Sequence, residues 1–184
     1  MPNPLATVAQ VLNDLRALRL VDQFAIGGAY AVSFHSEPLA TRDLDVFCHL
    51  RTAGLLIDLS PLYAYLEGRG YHAEGDAVLI EGIPVQFLPA PTRLVDEAIE
   101  NAVELSIEGA MTRVIDLEYI IGIALDLGRT KDKLRLDHLL SVTSRPIDQS
   151  RLNDILRRHV PEKPKAGEDT LLDRWRRFLE ARGD

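Results

Sequence analysis

Cysteine is nearly absent: Cys48 is the only one among 184 residues. A lone thiol excludes an internal disulfide framework and a cysteine-based zinc site, and it points to a reducing compartment. No apolar run approaches the roughly 18 residues needed to cross a bilayer. The opening MPNPLATVAQ has neither the basic region nor the apolar core of a secretory signal. The expectation is a cytoplasmic protein without membrane contact. Internal repeats and low-complexity tracts are missing. The glycine pair at 27–28 is not followed by Gly-Lys-[Ser/Thr], which excludes a P-loop. His35, His49, His72, His138 and His159 show no metal-ligand spacing, so structural roles are expected for them. No local context suggests a Ser-His-Asp triad. What is present is ordinary for a globular chain, with 46 % apolar residues and enough length to bury a core without covalent staples.

Charge is unevenly spread. Residues 1–128 carry 7 Lys/Arg against 18 Asp/Glu, a balance of −11, whereas residues 129–184 carry 14 against 10, a balance of +4. The basic set Arg157, Arg158, Lys163, Lys165, Arg174, Arg176 and Arg177 has two readings. It is either a series of solvated helix faces or a surface that approaches phosphates, and base rates favour the first.

Periodicity divides the chain. Leu5, Val8, Leu12, Leu15 and Leu18 recur in steps of three and four, which predicts a helix over 4–20. FAIGG at 24–28 reads as a strand ending at a glycine pair, and 29–35 as a short helix. In 42–50, Leu44, Val46 and Cys48 alternate with Asp43, Asp45 and Phe47, the pattern of a strand with Cys48 on its core side. Ser60-Pro61 resembles a cap and first turn opening a helix to about Gly68. Hairpins are expected at 77–88, turning near Glu81-Gly82, and at 104–116, turning at Glu108-Gly109, with a helix over 92–102 between them. Helices are then expected at 117–127, closed by Gly128, at 131–142 and at 148–159. PEKPKAG at 161–167 reads as a linker, and Leu171, Leu172, Trp175, Phe178 and Leu179 form an apolar stripe on a last helix over 168–182. Strands mixed with helices followed by helices alone predict an α+β (mixed α/β) fold.

The strongest chemical signal is Asp43-Leu44-Asp45. On a strand, residues i and i+2 project to one face, so two carboxylates lie side by side and repel each other. A divalent cation with a preference for hard oxygen ligands, such as Mg²⁺, removes that penalty. Gly27-Gly28 at a strand-to-helix turn permits a positive φ and close approach of backbone N–H groups to a phosphate.

The combination FAIGGAYAVSFHSEPLATRDLDVF resembles the opening motif of the nucleotidyltransferase superfamily: a strand, a glycine pair, a short helix, a loop and then Thr-x-Asp-x-Asp, here Thr41-Arg42-Asp43-Leu44-Asp45. The spacing is similar to AbiEii-type minimal nucleotidyltransferases, many of them toxin–antitoxin or phage-defence components of bacteria. LEYIIGIALDLGRTKDKLRLDHLL resembles the helical segment of that family, with an Arg-x-Lys-Asp core at Arg129, Thr130, Lys131 and Asp132. The resemblance implies a polymerase-beta-like fold, with a small mixed sheet flanked by helices over 1–115. A helical part over 116–160 and a linker with an amphipathic helix over 161–184 complete it. It implies transfer of a nucleoside monophosphate from a nucleoside triphosphate to a tRNA or protein acceptor, with a cognate antitoxin as a partner. Asp43 and Asp45 would hold Mg²⁺ (or Mn²⁺) at the catalytic centre. Gly27, Gly28, Thr41, Arg42, Asp132 and Gln86 would contribute to nucleotide binding, and Lys131 or Arg129 would stabilise the leaving pyrophosphate.

The chain departs from the pattern twice. Many active members of that family carry a third carboxylate on a later strand, where Val85-Gln86-Phe87 places a neutral amide; Glu81 or Asp76 on the preceding strand would substitute if the hairpin bends toward the site. Members of the family it resembles also often carry a Lys in the helix before the Arg-x-Lys-Asp core, where the nearest positions here are Ala124 and Asp126. Two alternatives to the transferase follow: a binding or regulatory protein with weakened catalysis, and a small-molecule (antibiotic-type) nucleotidyltransferase.

Overall fold

The computed structural model describes residues 3–50, 52–53, 56–161 and 170–183. Asn3 accepts a hydrogen bond from the Leu5 N–H, and Pro4 fills the first turn, where no amide donor is needed. The helix they open, α1 (Pro4–Ala17), ends earlier than its periodicity suggests and leaves Leu18 exposed. It leads into β1 (Val21–Ile26), α2 (Gly28–His35) and β2 (Leu44–Leu50). The short strands β3 (Thr52–Ala53) and β4 (Leu56–Ile57) pair with each other. They are followed by α3 (Ser60–Gly68), β5 (His72–Glu74), β6 (Ala77–Ile80), β7 (Ile83–Pro89), α4 (Arg93–Glu100), β8 (Val103–Ile107) and β9 (Ala110–Val114). The remainder is helical: α5 (Leu117–Leu127), α6 (Thr130–Val142), α7 (Gln149–Arg158) and α8 (Leu171–Arg182).

The architecture is mixed α/β with a C-terminal helical part. Among the described residues the main mixed sheet has seven strands in the order β5-β6-β7-β2-β1-β9-β8. The extra strand β5 is exposed at every position, so it carries no apolar alternation for a sequence reading to detect. Ser60 is also not the cap of α3; it is the first helical residue, and the Asp58 carboxylate accepts its N–H at 2.9 Å.

At the centre of the sheet, β2 pairs antiparallel with β1 and parallel with β7, and β1 meets β9 in parallel. The register sets Leu44 beside Val85, Asp45 beside Gln86 and Val46 beside Phe87. Alternation then sorts the faces. Leu44, Val46, Cys48, Val85 and Phe87 join Leu12, Leu15, Leu62 and Leu66, from α1 and α3, in one core. Burial pushes the Cys48 thiol up to about 12. The opposite face, with Ala25 and Phe47, meets a second core built on Val32, Leu94, Ile115, Ile121, Leu139 and Ile155. Asp45 and Gln86 belong to that second face, at the end where β1 gives way to α2. Both expected hairpins turn where expected, with positive φ at Glu81-Gly82 and at Glu108-Gly109, the geometry of tight two-residue turns.

The helices behind the second face are fastened by a charge network. Asp116 caps α5 and accepts from Arg145 at 2.7 Å and Arg151 at 2.6 Å. The fully buried Glu118 accepts both Arg145 guanidinium nitrogens, at 2.9 and 2.7 Å, and the Asp148 N–H at 2.9 Å. Helix α8 packs in cis on α5 and α7 through Leu171 and Trp175, with Trp175 stacked on Phe178 at 6.2 Å. Most of the expected linker, together with Lys163 and Lys165, lies outside the described residues. The other basic residues favour the helix-face reading. Arg157 faces Asp154, Arg158 binds Glu97, Arg176 faces Asp173, and Arg174 donates to the Leu125 and Asp126 carbonyls at the end of α5. Among the described residues no helix is long and apolar enough to cross a membrane.

Candidate functional site

The site begins at the turn between β1 and α2. The Gly27 N–H donates to the Asp45 carbonyl at 2.8 Å, which docks the turn on β2. Gly28 opens α2 at φ +58°, a left-handed conformation that disfavours any residue with a Cβ. A Cβ at Gly28 would overlap the Asp45 carboxylate, and one at Gly27 would overlap the Phe47 ring. Both glycines are therefore required by what lies across from them. No side chain caps α2, so its N-terminal N–H groups and positive dipole end stand beside Asp45 without a side-chain acceptor.

Asp45 is half-buried. Burial raises its pKa; Arg135, Lys131 and Arg129 act against the rise and Asp43 adds to it, and the net direction is upward. The carboxylate thus sits where additional positive charge would be welcome. Asp43 differs from the expected arrangement: β2 begins at Leu44, so Asp43 is an exposed residue just ahead of the strand. It is still near enough for its repulsion to reach Asp45. The Thr41 hydroxyl donates to the Asp43 carbonyl at 3.3 Å and shapes this loop, while Arg42 is exposed.

Opposite the turn stands the start of α6. Arg129 forks onto Asp132, its Nε at 2.6 Å and Nη2 at 3.1 Å from the two carboxylate oxygens. That bond holds the guanidinium pKa above its ordinary value. Asp132 is 3 % exposed, and Arg135 Nη1 lies 3.8 Å from it. Lys131 is exposed on the first turn. Gly27, Gly28, Asp45, Arg129, Asp132 and Arg135 share one cavity of about 70 Å³. Small-molecule pockets usually exceed about 300 Å³, so this cavity admits a charged group and its first ligands but not a whole nucleoside. A larger groove of about 380 Å³ lies between α6 and α8, around Leu134 and Phe178, and contains neither Asp43 nor Asp45.

The structure brings together Gly27, Gly28, Asp45, Arg129 and Asp132 and sets Gln86 beside Asp45, while Asp43 and Lys131 are exposed, outside the cavity lining but near enough for their charges to act on Asp45. Asp132, expected to bind nucleotide, lines the cavity and accepts both bonds of the Arg129 fork. Glu81 stays at the tip of its hairpin, where the Tyr71 hydroxyl donates to it at 3.4 Å. Asp76 is in the turn before β6, with β6 and β7 between it and β2. Among the described residues no group of three or more acidic, His or Cys side chains is placed to hold a metal. Ala124 lines the cavity with a methyl group, so the expected absence of a cation at that position stands. The histidines serve elsewhere: His35 donates to the Ile115 carbonyl at 2.9 Å, and His159 meets Glu97 at 2.6 Å. Arg135 escaped sequence reasoning. The signal that exposes it is helical period, since Asp132, Arg135, Leu136 and Leu139 face the same cavity.

No protein-family model and no curated protein matches the chain. Among solved structures, an antigenic nucleotidyltransferase-like protein from Paracoccidioides brasiliensis superposes with a TM-score of 0.61 at 17 % identity, covering 98 % of this chain and 89 % of that one. Two structures of ANT(2″)-Ia superpose with TM-scores of 0.49. The complex with adenylyl-2″-tobramycin is 17 % identical over 83 % of this chain and 95 % of that one. The solution structure of this antibiotic-resistance factor is 16 % identical over 84 % and 90 %. The chain has the nucleotidyltransferase fold.

Proposed function

We propose that the protein binds a nucleoside triphosphate with Mg²⁺ and transfers the nucleoside monophosphate to an acceptor. The observation that carries this reading is the juxtaposition of the Gly27-Gly28 turn and Asp45 with Arg129 and Arg135 around one cavity. The donor set fits the metal. Asp43 and Asp45 offer carboxylates and Gln86 a neutral carbonyl oxygen, all hard donors of the kind Mg²⁺ takes alongside substrate phosphates. When bound, the ion would neutralise phosphate charge and align the reacting groups. The chain's own part is orientation and charge: the N–H groups at the start of α2 face the phosphates, and Arg129 and Lys131 stabilise the pyrophosphate as it leaves. The acceptor's nucleophile attacks the α-phosphorus, and the bond to the β-phosphate oxygen breaks. With a cavity this small, the nucleoside lies outside it and the phosphates reach in.

Calorimetry with the four ribonucleoside triphosphates and Mg²⁺ tests the site, with the Asp43→Asn, Asp45→Asn protein alongside. Binding that disappears in the double variant is the expected result; equal binding by both proteins removes the reading. Transfer of α-labelled nucleotide to tRNA, protein or aminoglycosides then distinguishes the acceptor classes.

Gln86 beside Asp45 favours a second reading, a nucleotide-binding protein that does not turn over. It predicts Mg²⁺-dependent binding without pyrophosphate release, which a pyrophosphate assay reads directly.

A further inference from the structure

Arg129, Asp132 and Arg135 are spaced one helical turn apart and stack along one edge of α6. Asp132 is almost completely buried between the two arginines. The two bonds are unequal. Arg129 spends Nε and Nη2 on both oxygens of Asp132, which fixes its plane and leaves Nη1 outside that fork. Arg135 comes no nearer than 3.8 Å to the same carboxylate and makes no hydrogen bond to any described residue. An arginine placed for structure alone would be expected to close that distance. Arg135 instead lines the cavity that holds Asp45 and the glycine turn.

On the reading that this site takes a nucleoside triphosphate, we propose that Arg135 contacts the triphosphate and that Asp132 is a positioning residue holding Arg129 beside it. The two guanidiniums then form a preset clamp across the cavity from Gly27-Gly28. The clamp answers the site's shortage of carboxylates. A second divalent ion needs acidic ligands that Gln86 does not supply. The positive charge facing the β- and γ-phosphates comes from planar, permanently charged side chains instead. Pre-ordering by Asp132 lowers the entropy lost when the phosphates arrive.

The test compares Mg²⁺-loaded nucleoside triphosphate, the matching monophosphate and inorganic tripolyphosphate by calorimetry, with thermal melts of every protein. Arg135→Gln should weaken triphosphate and tripolyphosphate binding at least tenfold, leave the monophosphate unchanged and melt like wild type. Arg135→Lys should recover part of the loss. Asp132→Asn should lower the triphosphate-to-monophosphate affinity ratio, and Asp132→Glu should restore it. Two results overturn the proposal: Arg135→Gln binding triphosphate as wild type does, or losing monophosphate and triphosphate equally. Wild-type protein that binds no triphosphate refutes the nucleotide reading itself. Wild-type binding with an indifferent Arg135→Gln refutes the clamp alone.

Discussion

At the residue scale, Gly28 and Asp45 cannot be considered apart. Gly28→Ala introduces a Cβ at positive φ, worth about 1–2 kcal/mol of strain, and drives it into the Asp45 carboxylate. The melting temperature should fall by several degrees in a scan, with Mg²⁺-nucleotide binding lost in calorimetry. Asp45→Asn separates stability from function. Burial raises the Asp45 pKa despite three nearby cations, so the ionised form is disfavoured in the native state. Stability at this group therefore declines as pH rises past the ordinary carboxylate range. The amide variant should melt at or above the wild-type temperature near neutral pH while losing metal-dependent binding; a fall of several degrees would contradict this.

At the element scale, α8 supports the site from behind. Trp175 is the only tryptophan and is 4 % exposed in the second core. Arg174 on the same helix donates to the last carbonyls of α5, just ahead of Arg129. Trp175→Ala should cost about 3–5 kcal/mol, read as a lower urea midpoint. In the wild-type chain, indole emission should shift to the red in the same transition that unfolds the sheet. An earlier, separate emission change would show α8 undocking alone. This element was legible from its stripe of Leu171, Trp175, Phe178 and Leu179, as were β2 from its alternation and both hairpins from their Glu-Gly turns. Strand β5 was not, because polar residues at a sheet edge bury nothing. The displacement of Asp43 from β2 was equally hidden, since alternation says where a face lies and not where pairing starts.

At the scale of the whole molecule, the Asp116–Glu118–Arg145–Arg151 network ties the start of α5 to the connection between α6 and α7. Burial alone would raise both acidic pKa values. Hydrogen bonds from the Leu117 N–H and Arg145 outweigh it at Asp116, and those from Arg145 and the Asp148 N–H do so at Glu118, so both fall below the ordinary carboxylate range. Groups depressed in the native state contribute stability above their unfolded values and lose it as pH falls through the native ones. Thermal melts should therefore decline steeply on acidification past that range. Arg145→Ala leaves Glu118 buried without its partner; the cost should be about 3 kcal/mol, moderated by solvent because Arg145 is 36 % exposed. A flat pH profile in that variant, set against a sloping wild-type one, would identify the network as its source. None of this was readable from the chain, because the partners are joined by the path of the backbone and not by local spacing. Likewise the placing of Asp132 with Arg129 and Arg135 around the cavity emerges only from the fold.

Strand β1 finishes its pairing only when Ile26 meets Val114 in parallel, and the cations acting on Asp45 follow later still, at the start of α6. A ribosome making this protein therefore releases the acidic half of the site long before its basic half exists. Any fragment that ends before β9 leaves one side of β1 open and Asp45 without its counter-charges. The candidate site, on this topology, is complete only with the last third of the chain.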